Sequence, residues 1–535
     1  MKRLRSSPER AAAAAALWLA LATAVAGAAE PAAGASDGPM PDAAALYATH
    51  CAACHGETRL GGQGPALLPV SLGRLKPADI ARTIANGRAA TQMPAFADTL
   101  DKGEIAALAA FVGKPPAVTP TWTEADIRAS RIVHPAPAAT KPVFDADPLN
   151  LFVVVEAGDH HVSILDGDRF TTLARFPSRY ALHGGPKFTP DGRFVFFGSR
   201  DGWISKYDLW TLTTVAEVRA GINMRNIALS ADGRWIAAAN YLPGTLVLLS
   251  AETLEPVRIF EAGDARKAPS RVSAVYQAPD RNSFIAALKD VPEIWEIATD
   301  PKAAPVFTGL VHNYEKGMAE ALPASAGLFA LRRIAVEEPV DDFFFDRGYR
   351  HLLGAARDGG RALVVNLNVG RTVATVPMPG MPHLGAGIGF TWQGRRVIAA
   401  PHLSEGRISI IDSADWSVVK TIETAGPGFF LRSHEDTPYI WADAMMGKAS
   451  DGMQIIDKRT LEVVRVLTPA PGKIAAHTEF DRGGRHALVS VWDADGALVV
   501  YDAATLEERI RLPMRKPVGK YNVFNKIRFS EGTSH

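Results

Sequence analysis

The segment Phe188-Thr189-Pro190-Asp191-Gly192-Arg193-Phe194-Val195-Phe196 decides the fold, because its pattern recurs along most of the chain. It places an aromatic residue before a tight Asp-Gly-Arg turn and a hydrophobic strand after that turn. The pattern returns at residues 229–236 (LSADGRWI), 390–397 (FTWQGRRV) and 480–487 (FDRGGRHA). Weaker copies start near Asp145, Gln277, Phe345 and Leu431. A period of about 40 to 50 residues with four short strands per unit is typical of β-propeller blades.

Eight such copies can be counted between residues 143 and 535, one of them stretched by an insertion at residues 298–331. Hairpin segments at residues 251–254, 458–461 and 503–506 occupy equivalent positions in their repeats. An array of β-sandwiches would not repeat its turn chemistry so regularly. The sequence therefore predicts an all-β, eight-bladed propeller over residues 143–535, with a central channel wide enough for a large flat ligand.

The run Cys51-Ala52-Ala53-Cys54-His55 contains both cysteines of the 535-residue chain. Two thiols at this spacing can each add to a haem vinyl group, and the adjacent histidine can then ligate the iron, which is the c-type haem attachment signature. A chance occurrence or a redox-active C-x-x-C is the alternative interpretation. The motif predicts one covalent haem c, attached through Cys51 and Cys54 and ligated by His55.

Residues 40–113 around this motif have the pattern of a small, all-α cytochrome c domain. Apolar residues recur at helical spacing in residues 42–50, 77–86 and 101–112. Met93, followed by a proline, lies where small cytochromes c place the sixth iron ligand, and a thioether ligand raises the reduction potential. The alternative is that Met93 only packs in the core.

The chain has the composition of a globular protein, with 47% hydrophobic residues, 21% charged residues and a net charge of +1. This balance lacks the basic excess of nucleic-acid-binding proteins. Residues 1–28 carry a basic start, an alanine-rich apolar run and a small-residue cleavage pattern, which predicts a cleaved signal peptide rather than a retained anchor. Residues 114–142 are rich in proline and predict a semi-rigid linker.

A cytochrome c domain followed by an eight-bladed propeller resembles the cytochrome cd1 nitrite reductase family. The resemblance covers nearly all of the chain after residue 28, and it implies that the propeller binds a haem d1-type macrocycle non-covalently. The stretch Tyr180-Ala181-Leu182-His183-Gly184-Gly185 lies where the family has its proximal d1 ligand, which implies iron ligation by His183. The stretch Met381-Pro382-His383-Leu384-Gly385 matches one of the two distal histidines of the nitrite reductases.

Within this family the chain is most similar to the dehydrogenases that complete haem d1 synthesis. The C-terminal residues 519–526 (GKYNVFNK) and 530–535 carry that similarity. The first distal histidine of the reductases should fall near residues 341–345, which read DDFFF, and His351 nearby is out of register. His477 instead stands where the dehydrogenase branch has a histidine and the reductases have none.

The chemistry that the resemblance implies is the conversion of a propionate side chain of dihydro-haem d1 into an acrylate. This removes two electrons and two protons, and histidine is suited to act as the general base near neutral pH. We expect His477 and Tyr521 to act on the propionate, with His383 on the distal side. The alternative interpretation is that His477 only begins a strand and that Tyr521 only packs in the closing blade. Arginine and lysine would hold the carboxylates of the macrocycle, and the candidates are Arg179, Lys187, Arg200, Arg225 and Arg271.

Three functions remain open from the sequence: a periplasmic dehydrogenase that passes electrons to haem c, a cd1-type nitrite reductase, and a non-enzymatic haem d1 carrier. The haem c domain argues against a pure carrier, and the missing distal histidine argues against the reductase. The expected partners are the tetrapyrrole, a transfer complex with a cd1 nitrite reductase and other haem d1 maturation proteins, and a periplasmic electron acceptor. No nucleic acid partner and no membrane span in the mature protein are expected.

Overall fold

The computed structural model describes residues 41–62, 64–73, 75–87, 93–135, 137–182, 184–307, 324–355, 360–529 and 531–534. The predicted signal peptide at residues 1–28 and the predicted iron ligand His183 lie outside the described residues.

The N-terminal domain is helical, as the sequence predicts. Its helices are α1 (Ala43–His50), α2 (Ala52–His55), α3 (Pro69–Leu72), α4 (Pro77–Asn86) and α5 (Lys102–Gly113). Side-chain caps set two of the helix starts, since Asp42 accepts from the amide of Ala44 at 3.1 Å and Asp101 accepts from the amide of Glu104 at 2.8 Å. The apolar faces of α1, α4 and α5 meet in one core around the fully buried Leu108.

In the described part of the chain, eight antiparallel sheets of four strands form the propeller, and one of them gains a fifth strand. Blade 1 consists of β2 (Leu151–Glu156), β3 (His161–Asp166), β4 (Thr172–Pro177) and the C-terminal strand β35 (Pro517–Asn522). Blade 2 consists of β5 (Lys187–Phe188), β6 (Phe194–Gly198), β7 (Trp203–Asp208), β8 (Thr213–Arg219) and the added β1 (Ile132–Val133). Blade 3 consists of β9 (Asn223–Leu229), β10 (Trp235–Leu242), β11 (Thr245–Ser250) and β12 (Pro256–Glu261). Blade 4 consists of β13 (Val272–Ala278), β14 (Ser283–Leu288), β15 (Glu293–Ala298) and β18 (Leu331–Ala335), with the separate pair β16 (Val306–Phe307) and β17 (Ala324–Ser325) inserted before β18.

The remaining four blades follow the same order from the channel outward. Blade 5 consists of β19 (Asp342–Phe345), β20 (His351–Ala355), β21 (Arg361–Asn366) and β22 (Arg371–Pro377). Blade 6 consists of β23 (Ile388–Trp392), β24 (Arg395–Pro401), β25 (Arg407–Asp412) and β26 (Val418–Glu423). Blade 7 consists of β27 (Leu431–Arg432), β28 (Tyr439–Asp443), β29 (Met453–Asp457) and β30 (Glu462–Leu467). Blade 8 consists of β31 (Ala475–Phe480), β32 (His486–Val491), β33 (Gly496–Asp502) and β34 (Glu508–Met514), and helix α7 (Val523–Arg528) follows β35.

The recurring Asp-Gly-Arg turn joins the first two strands of a blade. Gly192 and Gly233 occupy this turn in blades 2 and 3 with φ of +74° and +73°. L-residues with a side chain rarely adopt this conformation, so glycine is the residue the turn requires. Asp191 accepts from the amide of Arg193 at 3.1 Å and stabilises the same turn. The repeated sequence pattern is therefore a repeated backbone geometry.

The ring closes through strand β35, which pairs with β2 in antiparallel register so that Tyr521 lies opposite Val153. The C-terminal segment thus supplies the innermost strand of the first blade. Closure in this way joins the two ends of the propeller, because the first blade contains strands from both ends of the propeller sequence.

Residues 114–142, predicted as a linker, contain helix α6 (Glu124–Ala129) and strand β1. Ile127 of α6 is buried in the core between blades 2 and 3, and β1 extends the outer edge of blade 2. Within this proline-rich segment, Trp122 and Ile127 pack against the core that blades 2 and 3 share. The linker is consequently anchored on the propeller.

Candidate functional site

The haem c site is built around His55 in the short helix α2. His55 is buried, and its Nδ1 donates to the carbonyl of Pro65 at 2.8 Å, which leaves Nε2 as the atom available to a metal. Gly64 lies against the imidazole so closely that a β-carbon there would be 2.7 Å from Cε1. Burial lowers the pKa of His55, which favours the neutral, ligating form.

The cavity beside His55 has the lining that a haem c group needs. It is lined by His50, Cys51, Cys54, His55, Leu72, Ile80, Ile84, Met93 and Leu108 among others. The two thiols and the thioether face one apolar space, so the donor set fits a covalently attached haem with His55 and Met93 as axial ligands. His160 and Tyr180 of the propeller complete the lining, and their rings are 5.3 Å apart.

The second site lies at the channel end where the innermost strands of the blades begin. Lys187 and Asp342 are the first residues of β5 and β19, and His477 is the third residue of β31. Tyr521 is the fifth residue of β35 and joins the site through its ring contact with His477. Because innermost strands of a propeller run in the same direction, residues near their starts converge on one end of the channel. The fold therefore brings together residues that are more than 300 positions apart in the sequence.

His383 lies in the loop before β23 and is fixed on both sides of its ring. Its Nδ1 donates to the carbonyl of Phe429 at 2.9 Å, and its Nε2 lies 3.5 Å from Oδ2 of Asp342. Asp342 also accepts from the amide of Gly385 at 2.7 Å and from the hydroxyl of Tyr276 at 3.2 Å. Burial lowers the pKa of His383, while the carboxylate of Asp342 opposes that shift.

An arc of aromatic rings connects His383 to the other catalytic candidates. The His383 ring lies 4.1 Å from Phe429, which lies 4.6 Å from Phe430. Phe430 lies 4.7 Å from His477, and His477 lies 5.1 Å from Tyr521 in an edge-to-face arrangement. The structure thus brings together the three residues that the sequence predicts as catalytic, along one wall of the channel.

His477 is held as a neutral imidazole with a free nitrogen. Its Nδ1 is buried and has no hydrogen-bond partner among the described residues. Burial lowers the pKa of His477 well below 6.5, and the charges of Lys520 and Lys526 lower it further. Burial, followed by the charge of Glu479, raises the pKa of Tyr521. The imidazole is therefore the group of this pair that is ready to accept a proton at neutral pH.

Three of the five predicted basic residues lie at this channel end. Arg225 in β9 donates through Nε to the carbonyl of Ser273 at 3.2 Å. Arg200 lies in the turn between β6 and β7, and its amide donates to the carbonyl of Ala181 at 3.1 Å. Lys187 donates to the carbonyl of Gly184 at 3.1 Å, and burial lowers its pKa to about 8. These side chains could hold the carboxylates of a macrocycle.

The other two predicted basic residues are paired with carboxylates of the protein itself. Arg179 makes two hydrogen bonds of 2.8 Å to Glu217, and its guanidinium lies 3.8 Å from the Trp203 ring centre. Arg271 donates to Asp290 through Nε at 2.9 Å. Their guanidinium groups already have bidentate partners, which sequence spacing could not reveal because each partner lies on a neighbouring strand or turn.

The predicted iron ligand His183 lies outside the described residues, but its chain neighbours are placed at the same site. Leu182 pairs with Ser199, next to Arg200. Gly185 has φ of +69°, and a β-carbon there would lie 3.2 Å from Cε1 of Tyr521. Tyr180 therefore lies at the haem c cavity, and Gly185 lies at the channel end that holds Tyr521.

Asp342 lies within residues 341–345, where the resemblance to the nitrite reductases predicts their first distal histidine. His351, the nearest alternative, starts β20 and donates to Asp346, which lines the cavity at the opposite end of the channel. Asp342, Asp443 and Lys520 also belong to the site, although their sequence positions did not predict it. Asp342 is the first residue of an innermost strand, and this sequence position could have predicted that it faces the channel. The burial of the other two side chains has no sequence signature.

Comparison with known proteins gives two matching families. Residues 146–308 and 325–526 match the family described as "Cytochrome D1 heme domain", and residues 38–112 match "Cytochrome C oxidase, cbb3-type, subunit III". The chain is 56% identical over 494 residues to a "Dihydro-heme d1 dehydrogenase" of Pseudomonas aeruginosa, covering 92% of this chain and 95% of that protein. It is 31% identical over 378 residues to "Protein NirF" of the same organism, covering 69% of this chain and 90% of that protein.

A solved structure with the description "Dihydro-heme d1 dehydrogenase NirN in complex with DHE" superposes with a TM-score of 0.83 at 55% identity. The match covers 90% of this chain and 99% of that one. Among the described residues, none of the helices has the length and apolar character needed to pass through a bilayer.

Proposed function

The chain belongs to the cytochrome D1 haem domain family, and we propose that within this family it is a dihydro-haem d1 dehydrogenase. The reaction converts a –CH2–CH2–COO⁻ side chain of the macrocycle into –CH=CH–COO⁻ and releases two protons and two electrons. The observation that carries the proposal is the pairing of His477, with its free buried Nδ1, and Tyr521 at the channel end.

In the proposed reaction His477 accepts a proton from a side-chain carbon of the substrate propionate. Its lowered pKa keeps it unprotonated at neutral pH, and burial excludes the water that would compete for the base. Tyr521 lies against the same imidazole and orients the side chain or assists the transfer of the second proton. The residues of the aromatic arc, Phe429 and Phe430, keep the imidazoles of His383 and His477 in fixed orientations.

We propose that His183 and His383 ligate the macrocycle iron from opposite faces, and that Arg200, Arg225 and Lys187 hold its carboxylates. Arg179 and Arg271 stay candidates that would have to leave their protein partners in order to contact the substrate. Haem c, when attached through Cys51 and Cys54, accepts electrons one at a time. His55 and Met93 would be its axial ligands.

The compartment and partners that we propose follow from the chemistry of the cofactor and the product. Covalent haem c is attached on the export side of the membrane, so the periplasm is the proposed location. Electrons must leave haem c to a periplasmic acceptor, and the finished macrocycle must pass to a cd1 nitrite reductase, directly or through other haem d1 maturation proteins. Cell fractionation and co-purification with a cd1 nitrite reductase test these points.

The decisive experiment loads the purified holoprotein with dihydro-haem d1 and follows the extracted tetrapyrrole by absorption and mass. We expect His477→Ala to retain the macrocycle and to lose about a hundredfold in turnover, the usual contribution of a general base. Tyr521→Phe should also retain binding and react more slowly. His351→Ala is the matched control, because this imidazole is bonded to Asp346, which lines the cavity at the other end of the channel. Turnover at the wild-type rate in both site variants would remove these residues from the mechanism.

A further inference from the structure

Lys520 is a fully buried lysine that the reaction described above does not use. It precedes Tyr521 in β35, and its side chain has no exposed surface. Its ammonium donates to the backbone carbonyl of His477 and to the hydroxyl of Ser490 at 2.8 Å. Among the described residues, no carboxylate lies within ion-pair distance of it. A lysine in such surroundings is costly, because burial opposes its charge.

The carbonyl that Lys520 contacts belongs to an irregular part of the strand. β31 pairs with β32 so that Ala476 lies opposite Ser490 and Glu479 lies opposite Leu488, which leaves two residues without a partner in the ladder. His477 is one of them, and its φ is +54°. A residue with a β-carbon in this left-handed region costs about 1 kcal/mol or more, so surrounding contacts must hold it there.

Asp443 supports the same bulge from the other side. Its carboxylate accepts from the amides of Phe429 at 2.8 Å and Phe430 at 3.0 Å, and the amide of His477 is a further donor to it. Lys520 and Asp443 therefore satisfy the carbonyl and the amide of the residue that carries the base. Bulges at active sites commonly re-aim one side chain, and here that side chain is the imidazole beside Tyr521.

We propose that Lys520 is a positioning residue, which clamps the His477 bulge so that the imidazole points at the substrate side chain next to Tyr521. The inference rests on the proposed dehydrogenase function and adds to it the residue that orients the base. Burial lowers the pKa of Lys520 well below 10.5, and the carboxylates of Glu479 and Asp443 oppose that shift. The other charged groups that face His477 are Lys526, Arg432, Glu479 and Asp443.

The test compares Lys520→Met with the wild-type holoprotein, both loaded with dihydro-haem d1. Methionine keeps the length and apolar stem of the side chain but cannot donate to the carbonyl. We expect kcat to fall about tenfold to a hundredfold, the usual effect of misplacing a catalytic group by about 1 Å, while macrocycle affinity changes by less than about twofold. Ser490→Ala is the matched control, since it removes the other acceptor and leaves the contact of Lys520 with His477 intact.

The kcat of the folded fraction separates positioning from a purely structural role, and the pH dependence reports the charge of Lys520. Removing the charge of Lys520 raises the pKa of His477, so the acidic limb of kcat/KM should move to higher pH in Lys520→Met. A purely structural lysine would change the yield of folded protein and leave kcat of the folded fraction at the wild-type value. If Lys520→Met does not accumulate, Lys520→Gln removes the charge with a side chain one bond shorter, and it must move the limb in the same direction.

Wild-type kcat and an unmoved acidic limb in the folded Lys520 variant would overturn the inference, provided that the wild-type protein oxidises dihydro-haem d1 and His477→Ala does not. If the wild-type protein fails to oxidise dihydro-haem d1, or if His477→Ala turns over normally, the proposed function fails instead. The two failures are therefore distinguishable in one set of measurements.

Discussion

Removal of the buried guanidinium beneath the site is expected to destabilise the propeller strongly. Arg432 in β27 and Glu479 in β31 form an ion pair with Nε–Oε1 of 3.1 Å, and their side chains are only 4% and 1% exposed. Glu479 also accepts from the side-chain amide of Asn525 at 3.2 Å, which ties blade 8 to helix α7. Arg432→Met leaves the Glu479 charge buried without its cationic partner. Losses of about 3–5 kcal/mol in the free energy of unfolding are typical of such a change.

The measurement is urea unfolding of the holoprotein followed by circular dichroism, with the propeller transition fitted separately from the cytochrome c domain. Arg511→Met is the matched control, because Arg511 pairs with Glu508 at the surface, where the side chains are 40% and 38% exposed. Exposed pairs contribute about 0.2–1 kcal/mol. Adding Glu479→Gln to Arg432→Met should recover part of the loss, since it removes the uncompensated charge. A loss below about 1 kcal/mol in Arg432→Met, equal to that of the control, would refute the reasoning.

The other predictions concern the two haem sites. Met93→Ala should lose the thioether ligand of haem c, seen in the absorption spectrum of the reduced protein, and an unchanged spectrum would mean that another residue is the sixth ligand. His183→Ala should weaken macrocycle binding and alter its spectrum, and equal affinity with the same spectrum would disprove the assignment. Gly185→Ala should slow turnover, because the added β-carbon would lie 3.2 Å from the Tyr521 ring. The alanine would also be strained at the φ of +69° that glycine adopts there. A wild-type rate would show that turnover does not depend on the position of the Tyr521 ring. The acidic limb of kcat/KM should lie well below pH 6.5, because His477 works as a base only in its neutral form and its lowered pKa keeps it neutral down to that pH range. A limb at or above pH 6.5 would contradict this assignment.

The regular parts of the architecture were predictable from local patterns. The eight blades follow from a turn chemistry that each repeat carries within about ten residues, with glycine where φ is positive. The helices of the cytochrome c domain follow from helical periodicity and capping residues such as Asp42 and Asp101. The haem attachment motif needs only five consecutive residues. Each of these features is encoded by residues that are close together in the chain.

The substrate site was predictable in part. His383, His477 and Tyr521 were identified through resemblance to a family, and the structure brings them to one wall of the channel. The basic residues were harder to rank, because an arginine at a turn has the same sequence pattern whether it faces a ligand or a carboxylate. Arg225 is half-buried and donates to the carbonyl of Ser273, whereas Arg179 is paired with Glu217 on another strand.

The sequence by itself determined the two domains, the blade number and the covalent haem, since short-range turn, helix and thiol chemistry specifies each of them. Only the tertiary structure decided which polar groups surround the base. Lys520 and Asp443 are 77 positions apart in the chain. Lys520 meets His477 because ring closure places β35 beside β31, and Asp443 meets it because β28 of the neighbouring blade packs beside β31. The physical reason is that burial and pairing of charges depend on long-range contacts, and these contacts exist only once the propeller has closed.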